Sequence, residues 1–185
     1  VKQQTTWKII LHASSKPTKK RELLIVVLWI SFTAAAFSYF VQDKLVHFNV
    51  NNKLNYIEIA QLAEVFTPYI DSTISETQNT VIHFSQPNCQ CTQYSEKHIQ
   101  DINRMASKHR FNIINVPLST HDVIPATPSI AILNKTGEVV YFGPYGQGIA
   151  CSKTAGYAQT VLHNFIKGYS ANVMIKNAKG CYCAV

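Results

Sequence analysis

Nineteen consecutive residues, Leu23 to Val41, carry no formal charge. As a helix they span roughly 28 Å at about 1.5 Å per residue, close to the hydrocarbon thickness of a bilayer. Trp29, Tyr39 and Phe40 add aromatic groups, the latter two near one end, where interfacial belts form. A buried core helix would be shorter and polar on one face. A cleaved signal peptide is the competing reading. Ala34-Ala35-Ala36 lies inside the run. However, the run exceeds the about 7–15 residues of a signal h-region and ends without a clear Ala-x-Ala site. A transmembrane helix over 23–41 is therefore expected, and the rest must fold beside it.

Charge then sets the topology. The formal net charge is +7. Residues 1–22 supply +5 of it, through Lys2, Lys8, Lys16, Lys19, Lys20 and Arg21 against Glu22. Residues 23–185 carry only +2, so the basic character belongs to a tail and no nucleic-acid-binding face is expected. Positive charge stays on the cytoplasmic side. The expected organisation is a basic cytoplasmic tail (1–22), the span (23–41), a folded domain (42–170) and a cysteine-containing tail (171–185). In a bacterium with an inner membrane, the domain would face the periplasm, where disulfides persist. All five cysteines lie beyond the span. Their odd number leaves at least one free or paired outside the chain.

The pattern of the exported part reads as α/β. Phe48 to Lys53 is a short strand or linker. Asn55 to Ile70 carries Ile59, Leu62, Ala63, Phe66 and Ile70 at helical spacing. Thr80 to Ser85 is a compact strand, broken by Pro87-Asn88, with Asn88 as a candidate cap for the next helix. That helix places Tyr94, His98, Ile102 and Met105 on one face and ends near Lys108-His109-Arg110; His98 and His109 read as solvated or half-buried. Phe111 to Val116 is the next strand, and a β-α-β crossover demands parallel pairing. Ile130 to Leu133 and Glu138 to Phe142, joined by Asn134-Lys135-Thr136-Gly137, read as an antiparallel hairpin. Gly143 to Gly148 is a loop without phosphate-loop spacing. Thr154 to Tyr169 is a last helix.

Two motifs carry chemistry. Cys89-Gln90-Cys91 sits where a strand hands over to a helix, and a helix start favours thiolate over thiol. About forty residues on, Thr127-Pro128 precedes another strand. With the β-α-β then β-β-α order, residues 81–168 resemble the thioredoxin superfamily core. Asn134-Lys135-Thr136-Gly137-Glu138 is similar to the hairpin that follows that family's cis-proline. The whole chain resembles bacterial membrane-anchored thioredoxin-like proteins. The resemblance implies a central mixed sheet flanked by helices, a cis Thr127–Pro128 bond beside Cys89, and thiol-disulfide exchange with exported proteins. Cys89 would attack, Cys91 would resolve, and Thr127 and Pro128 would shape the substrate groove. The family's usual Trp-Cys-x-x-Cys is here Asn88-Cys89-Gln90-Cys91, one spacer residue shorter and without the tryptophan. Where many thioredoxins bury an acid, six residues before the first cysteine, this chain has His83. It reads either as a proton acceptor or as a histidine packed inside a strand.

No cofactor is required by the exchange reading. Its rival is a soft metal site, Cu(I) or Zn(II), on Cys89, Cys91 and His121. A third reading is a non-catalytic binding module, with Cys89 and Cys91 buried and inert. The tail repeats the spacing as Cys181-Tyr182-Cys183, and Cys151 stands alone before the last helix. Two readings stay open there: a staple from Cys151 to one tail cysteine, worth about 3–4 kcal/mol in the chain-entropy model, or a second redox pair that exchanges with the first. The staple is the expectation, held together with docking of Asn172 to Ile175 on the domain.

Overall fold

A computed structural model of the chain describes residues 19–42, 45–70, 78–148, 156–170 and 172–185. The chain divides into two units, 1–41 and 42–185. In the first, helix α1 runs Lys19–Gln42. Its stretch Lys19–Val41 has a mean hydropathy of 2.1 and is not buried, so it is long and apolar enough to cross a membrane. Leu24, Ile25, Leu28, Phe32 and Phe40 are all more than half exposed. An apolar surface on every side is compatible with a membrane span.

The second unit is built on a five-stranded mixed sheet. Its strands are β2 (Thr80–Ser85), β3 (Asn112–Pro117), β5 (Ser129–Leu133), β6 (Val139–Pro144) and β7 (Val173–Met174), in the order β3-β2-β5-β6-β7. β2 pairs in parallel with β3 across helix α3 (Thr92–Lys108), as the crossover demands. β2–β5 and β5–β6 are antiparallel. The hairpin turn is built by Asn134, whose Oδ1 accepts from the Thr136 and Glu138 amides at 2.9 Å, and by Gly137 at φ +81°.

Side chains alternate across the pleat, so each strand serves two cores. On one face Ile82, Phe84, Ala131, Leu133 and Phe142 pack with Phe48, Leu62 and Phe66. On the other, Val81, Ile130, Ile132 and Tyr141 pack with Ile102 and Ala106 of α3 and with Ala158 and Leu162 of helix α4 (Tyr157–Ile166). The helical pattern of 55–70 folds as 3-10 turns on either side of a short helix α2 (Leu62–Phe66). Pro68 removes an amide that a continuous helix would need. Strand β1 (Val46–His47) followed by a 3-10 turn stands where a short strand or linker was expected over 48–53. Local expectations for α3 are corrected. α3 starts at Thr92 with Cys91 as its N-cap, and Asn88, at φ +66°, belongs to the preceding turn. Tyr94 is exposed, whereas His98 is buried and meets Gln159 Oε1 of α4 at 2.6 Å.

The tail forms strands. β7 extends the sheet in parallel beside β6, with Tyr141 opposite Val173, so the expected docking of 172–175 is present. β8 (Lys179–Gly180) pairs antiparallel with β1, and β9 (Cys183–Ala184) with β4 (Ala126–Thr127).

Candidate functional site

The loop from β2 to α3 delivers two sulfurs of different exposure. Cys89 precedes the helix and is half-buried; Cys91, at the helix mouth, is 9 % exposed. Two amide bonds, Thr92 N to Cys89 O at 3.2 Å and Tyr94 N to Cys91 O at 3.1 Å, begin the helical ladder. Pro128 follows a cis bond and is buried. Cys89 Sγ lies 3.8 Å from the backbone oxygen of Thr127. Cys89, Thr127 and Pro128 therefore converge, the juxtaposition that the resemblance implied.

Their covalent partners are different from those expected. Cys89 is bonded to Cys183 and Cys91 to Cys181. The expected Cys89–Cys91 bond gives way to two cross-links between the Cys-x-Cys segments. Both tail cysteines are thus engaged, which replaces the staple to Cys151; Cys151 itself lies outside the described residues. Residues i and i+2 of a regular helix aim to nearly opposite sides, whereas those of an extended segment share a face. A partner segment carrying the same spacing meets each sulfur from outside. The Sγ atoms of Cys89, Cys91 and Cys183 all lie within 4.8 Å of one another.

The tail reaches this position through its backbone. In the β4–β9 ladder Ala126 stands opposite Ala184 and Thr127 opposite Cys183. The Val185 amide extends the ladder to Pro125 O at 3.2 Å. Tyr182, between the two cysteines, is buried with its ring edge-on to Phe48 and donates its hydroxyl to Gly146 O at 2.6 Å. Gly180 makes room for that ring: a Cβ there would stand 2.7 Å from the Tyr182 hydroxyl oxygen. Lys176 Nζ donates to Leu54 O and Ile57 O, and Lys53 Nζ to His121 O and Val185 O. The tail is thus tied to the domain by backbone, ring and ammonium contacts besides its sulfurs.

The two histidines named as site candidates, His83 and His121, both take part in local structure. His83 is 4 % exposed on β2. Nε2 donates to Asn103 Oδ1 at 2.8 Å, and Nδ1 accepts from the Tyr145 hydroxyl at 2.5 Å. Burial lowers the His83 pKa, partly offset by the Asn103 bond. A neutral ring with both nitrogens engaged matches the packed-histidine reading. His121 Nδ1 accepts from the amides of Val123 and Ile124 at 2.9 Å, closing its own turn. It does not belong to the sulfur cluster; the third group there is Cys183. Sequence reasoning missed Tyr145 and Asn103, which hold His83, and Tyr182, which seats the tail. The repeated Cys-x-Cys was the available signal for the cross-links.

Residues 60–185 match a family described as a domain of unknown function, DUF6436. The chain belongs to this family. The DUF6436 region takes in Cys89, Cys91, the 126–129 segment and the whole tail, and leaves out α1 and β1. No curated protein matches the chain.

Proposed function

We propose that this DUF6436 protein is a membrane-anchored, thioredoxin-like protein that exchanges thiols and disulfides with exported proteins. The supporting observation is the Cys89–Cys183 bond on a strand that pairs with β4 beside Pro128. An extended segment with its cysteine joined to Cys89 has the form of a mixed disulfide with a bound polypeptide. The β-α-β then β-β-α order and the helix-mouth position of Cys91 support the same reading. α1 would hold the domain at the membrane, with the basic residues around Lys19–Arg21 on the cytoplasmic side.

In the exchange, the Cys89 thiolate attacks one sulfur of a partner disulfide. A Cys89–partner bond forms, and the other partner sulfur leaves as a thiolate that takes up a proton. The Cys91 thiolate then attacks Cys89 Sγ, forming Cys89–Cys91 and releasing the second partner thiolate. The net result is two electrons moved from the cysteine pair to the partner. The 4.8 Å limit among the three sulfurs supports such re-pairing with small side-chain rotations.

The test must free Cys89 from the tail. In a full chain carrying Cys91→Ala, Cys181→Ala and Cys183→Ala, Cys89 should form a stable mixed disulfide with a disulfide-bonded peptide, and Cys89→Ala should abolish it. Absence of that adduct, together with no reversible oxidation of Cys89 and Cys91 in the Cys181→Ala, Cys183→Ala chain, would leave a binding module instead of an exchanger.

A further inference from the structure

Two Cys-x-Cys segments face each other at the mouth of α3. Cys89, Cys91 and Cys183 hold their sulfurs within 4.8 Å of one another, and Cys181 Sγ is bonded to Cys91 Sγ. What brings them together does not depend on sulfur alone. The β4–β9 ladder, the buried Tyr182 and the β1–β8 ladder all place the tail independently. Reduction therefore leaves four thiols gathered in one place.

Three of these sulfurs already share a 4.8 Å neighbourhood, and Cys181, which lies outside that limit, is one S–S bond from Cys91 and would join them on a tetrahedral metal by turning its side chain. With Zn–S bonds of about 2.3 Å, neighbouring sulfurs of such a site stand roughly 3.8 Å apart. We infer that the fully reduced chain binds one Zn2+ through Cys89, Cys91, Cys181 and Cys183. The all-sulfur donor set selects a soft d10 ion, and four protein ligands close the site against a substrate. Loading takes one Zn2+ and releases four protons from four thiols, leaving a net charge of −2 on the centre. Cys91 caps α3, whose N-terminal dipole favours that negative charge. Thr127 Oγ1 is buried without a hydrogen-bond partner, at the register position facing Cys183, and offers a hydroxyl donor there. Reoxidation by two equivalents of an external disulfide restores both cross-links. It gives four external thiols, takes up four protons, and expels the ion. The inference stands apart from the exchange reading, since it needs the four sulfurs together and no partner protein.

The test uses the full chain in detergent. A phosphine reduces both disulfides; each consumes one phosphine and one water, giving the phosphine oxide and two thiols. After its removal, Co2+ is added as a spectroscopic probe and then displaced with Zn2+. The expected result is one Co2+ per chain with the sulfur-to-cobalt charge-transfer and tetrahedral ligand-field bands of a tetrathiolate, and one-for-one displacement by Zn2+. Cys151→Ser should leave this unchanged. Losing a ligand should weaken binding by more than the ~10–100-fold that loss of an outer-sphere partner costs. The Cys181→Ser, Cys183→Ser double variant, which leaves the helix mouth intact, should therefore lose the tetrathiolate spectrum even if substitutions at Cys89 or Cys91 prevent folding. No cobalt spectrum in the reduced chain, or an unchanged one in that double variant, would overturn the inference.

Discussion

Thr127 and Cys183 stand opposite each other in a two-stranded antiparallel ladder, and Cys183 is bonded to Cys89, whose sulfur lies 3.8 Å from Thr127 O. The backbone that presents Pro128 is therefore also the backbone that seats the tail. An incoming polypeptide pairing with β4 would have to displace β9 first. Removing β9, by ending the chain at Gly180, should then raise the rate at which Cys89 reacts with an external disulfide-bonded peptide, once Cys89 and Cys91 have been reduced in both chains. Stopped-flow rates for the reduced wild-type chain and the reduced chain ending at Gly180 decide it; equal rates would mean that β9 does not obstruct the site.

The connectivity itself is open to direct measurement. Proteolysis of the unreduced chain, with free thiols blocked beforehand, should yield a cluster of peptides containing Cys89, Cys91, Cys181 and Cys183. Partial reduction should resolve it into Cys89–Cys183 and Cys91–Cys181. One alkylated thiol per chain is expected, on Cys151, since five cysteines form two bonds. Recovery of Cys151 in a disulfide with either tail cysteine would restore the staple expected from sequence.

The two bonds close nearly the same loop, with separations of 94 and 90 residues. In the chain-entropy model the first contributes about 4–5 kcal/mol and the second, which closes only a small ring, about 2. Losing either one alone should therefore cost about 2 kcal/mol, and losing both about three times as much. Denaturation midpoints of the Cys89→Ala, Cys183→Ala chain, the Cys91→Ala, Cys181→Ala chain and the fourfold variant would show this non-additivity. Two equal and additive losses would contradict it.

His83 makes stability depend on pH in a definite direction. Burial holds its folded-state pKa below the ordinary 6.5. The unfolded chain thus takes up this proton first as pH falls, and stability declines below about pH 6.5 until the folded-state pKa is passed. His121 is shifted the same way, by burial and Lys53 against the pull of Asp122, so a residual slope remains without His83. His83→Ala should flatten the decline between pH 7.5 and pH 5 in urea titrations followed by circular dichroism. It should also cost roughly 2–4 kcal/mol at neutral pH, because Tyr145 and Asn103 lose a buried partner.

Gly180 gives a way to move the tail without touching a sulfur. A methyl group there meets the Tyr182 hydroxyl oxygen at 2.7 Å and its ring carbon at 2.8 Å. Gly180→Ala should displace Tyr182 from Phe48 and Gly146 and speed reduction of both cross-links by a small-molecule dithiol. Tyr182→Phe, which keeps the ring, should have a smaller effect. An unchanged reduction rate in Gly180→Ala would show that the sulfurs alone hold the tail.

Much of the fold was legible because its signals are local. The uncharged run 23–41, the strand 80–85 and the Gly137 turn each express a periodicity or a backbone preference within a few residues. The Thr127–Pro128 segment and Cys89 were placed together only by the resemblance that those motifs carry. The limits of α2 and α4 were less legible. Helical spacing of apolar residues does not reveal that Pro68 and the neighbouring turns break the first. His98 was misplaced because its partner, Gln159, belongs to α4, some sixty residues away.

The sequence by itself determined an apolar helix, an α/β domain beyond it, and two Cys-x-Cys segments at the mouth of a helix and in the tail. Local propensity, periodicity and charge suffice for those. Only the tertiary structure decided which sulfur meets which. Pairing depends on where 173–184 runs, and that path is set by contacts more than a hundred residues apart in the chain: Val46 opposite Gly180, and Lys176 on the backbone of Leu54. Each is weak as a sequence signal, since any short extended segment can pair with any exposed edge. Together they fix the register that puts Cys183 at Thr127, and with it the bond to Cys89.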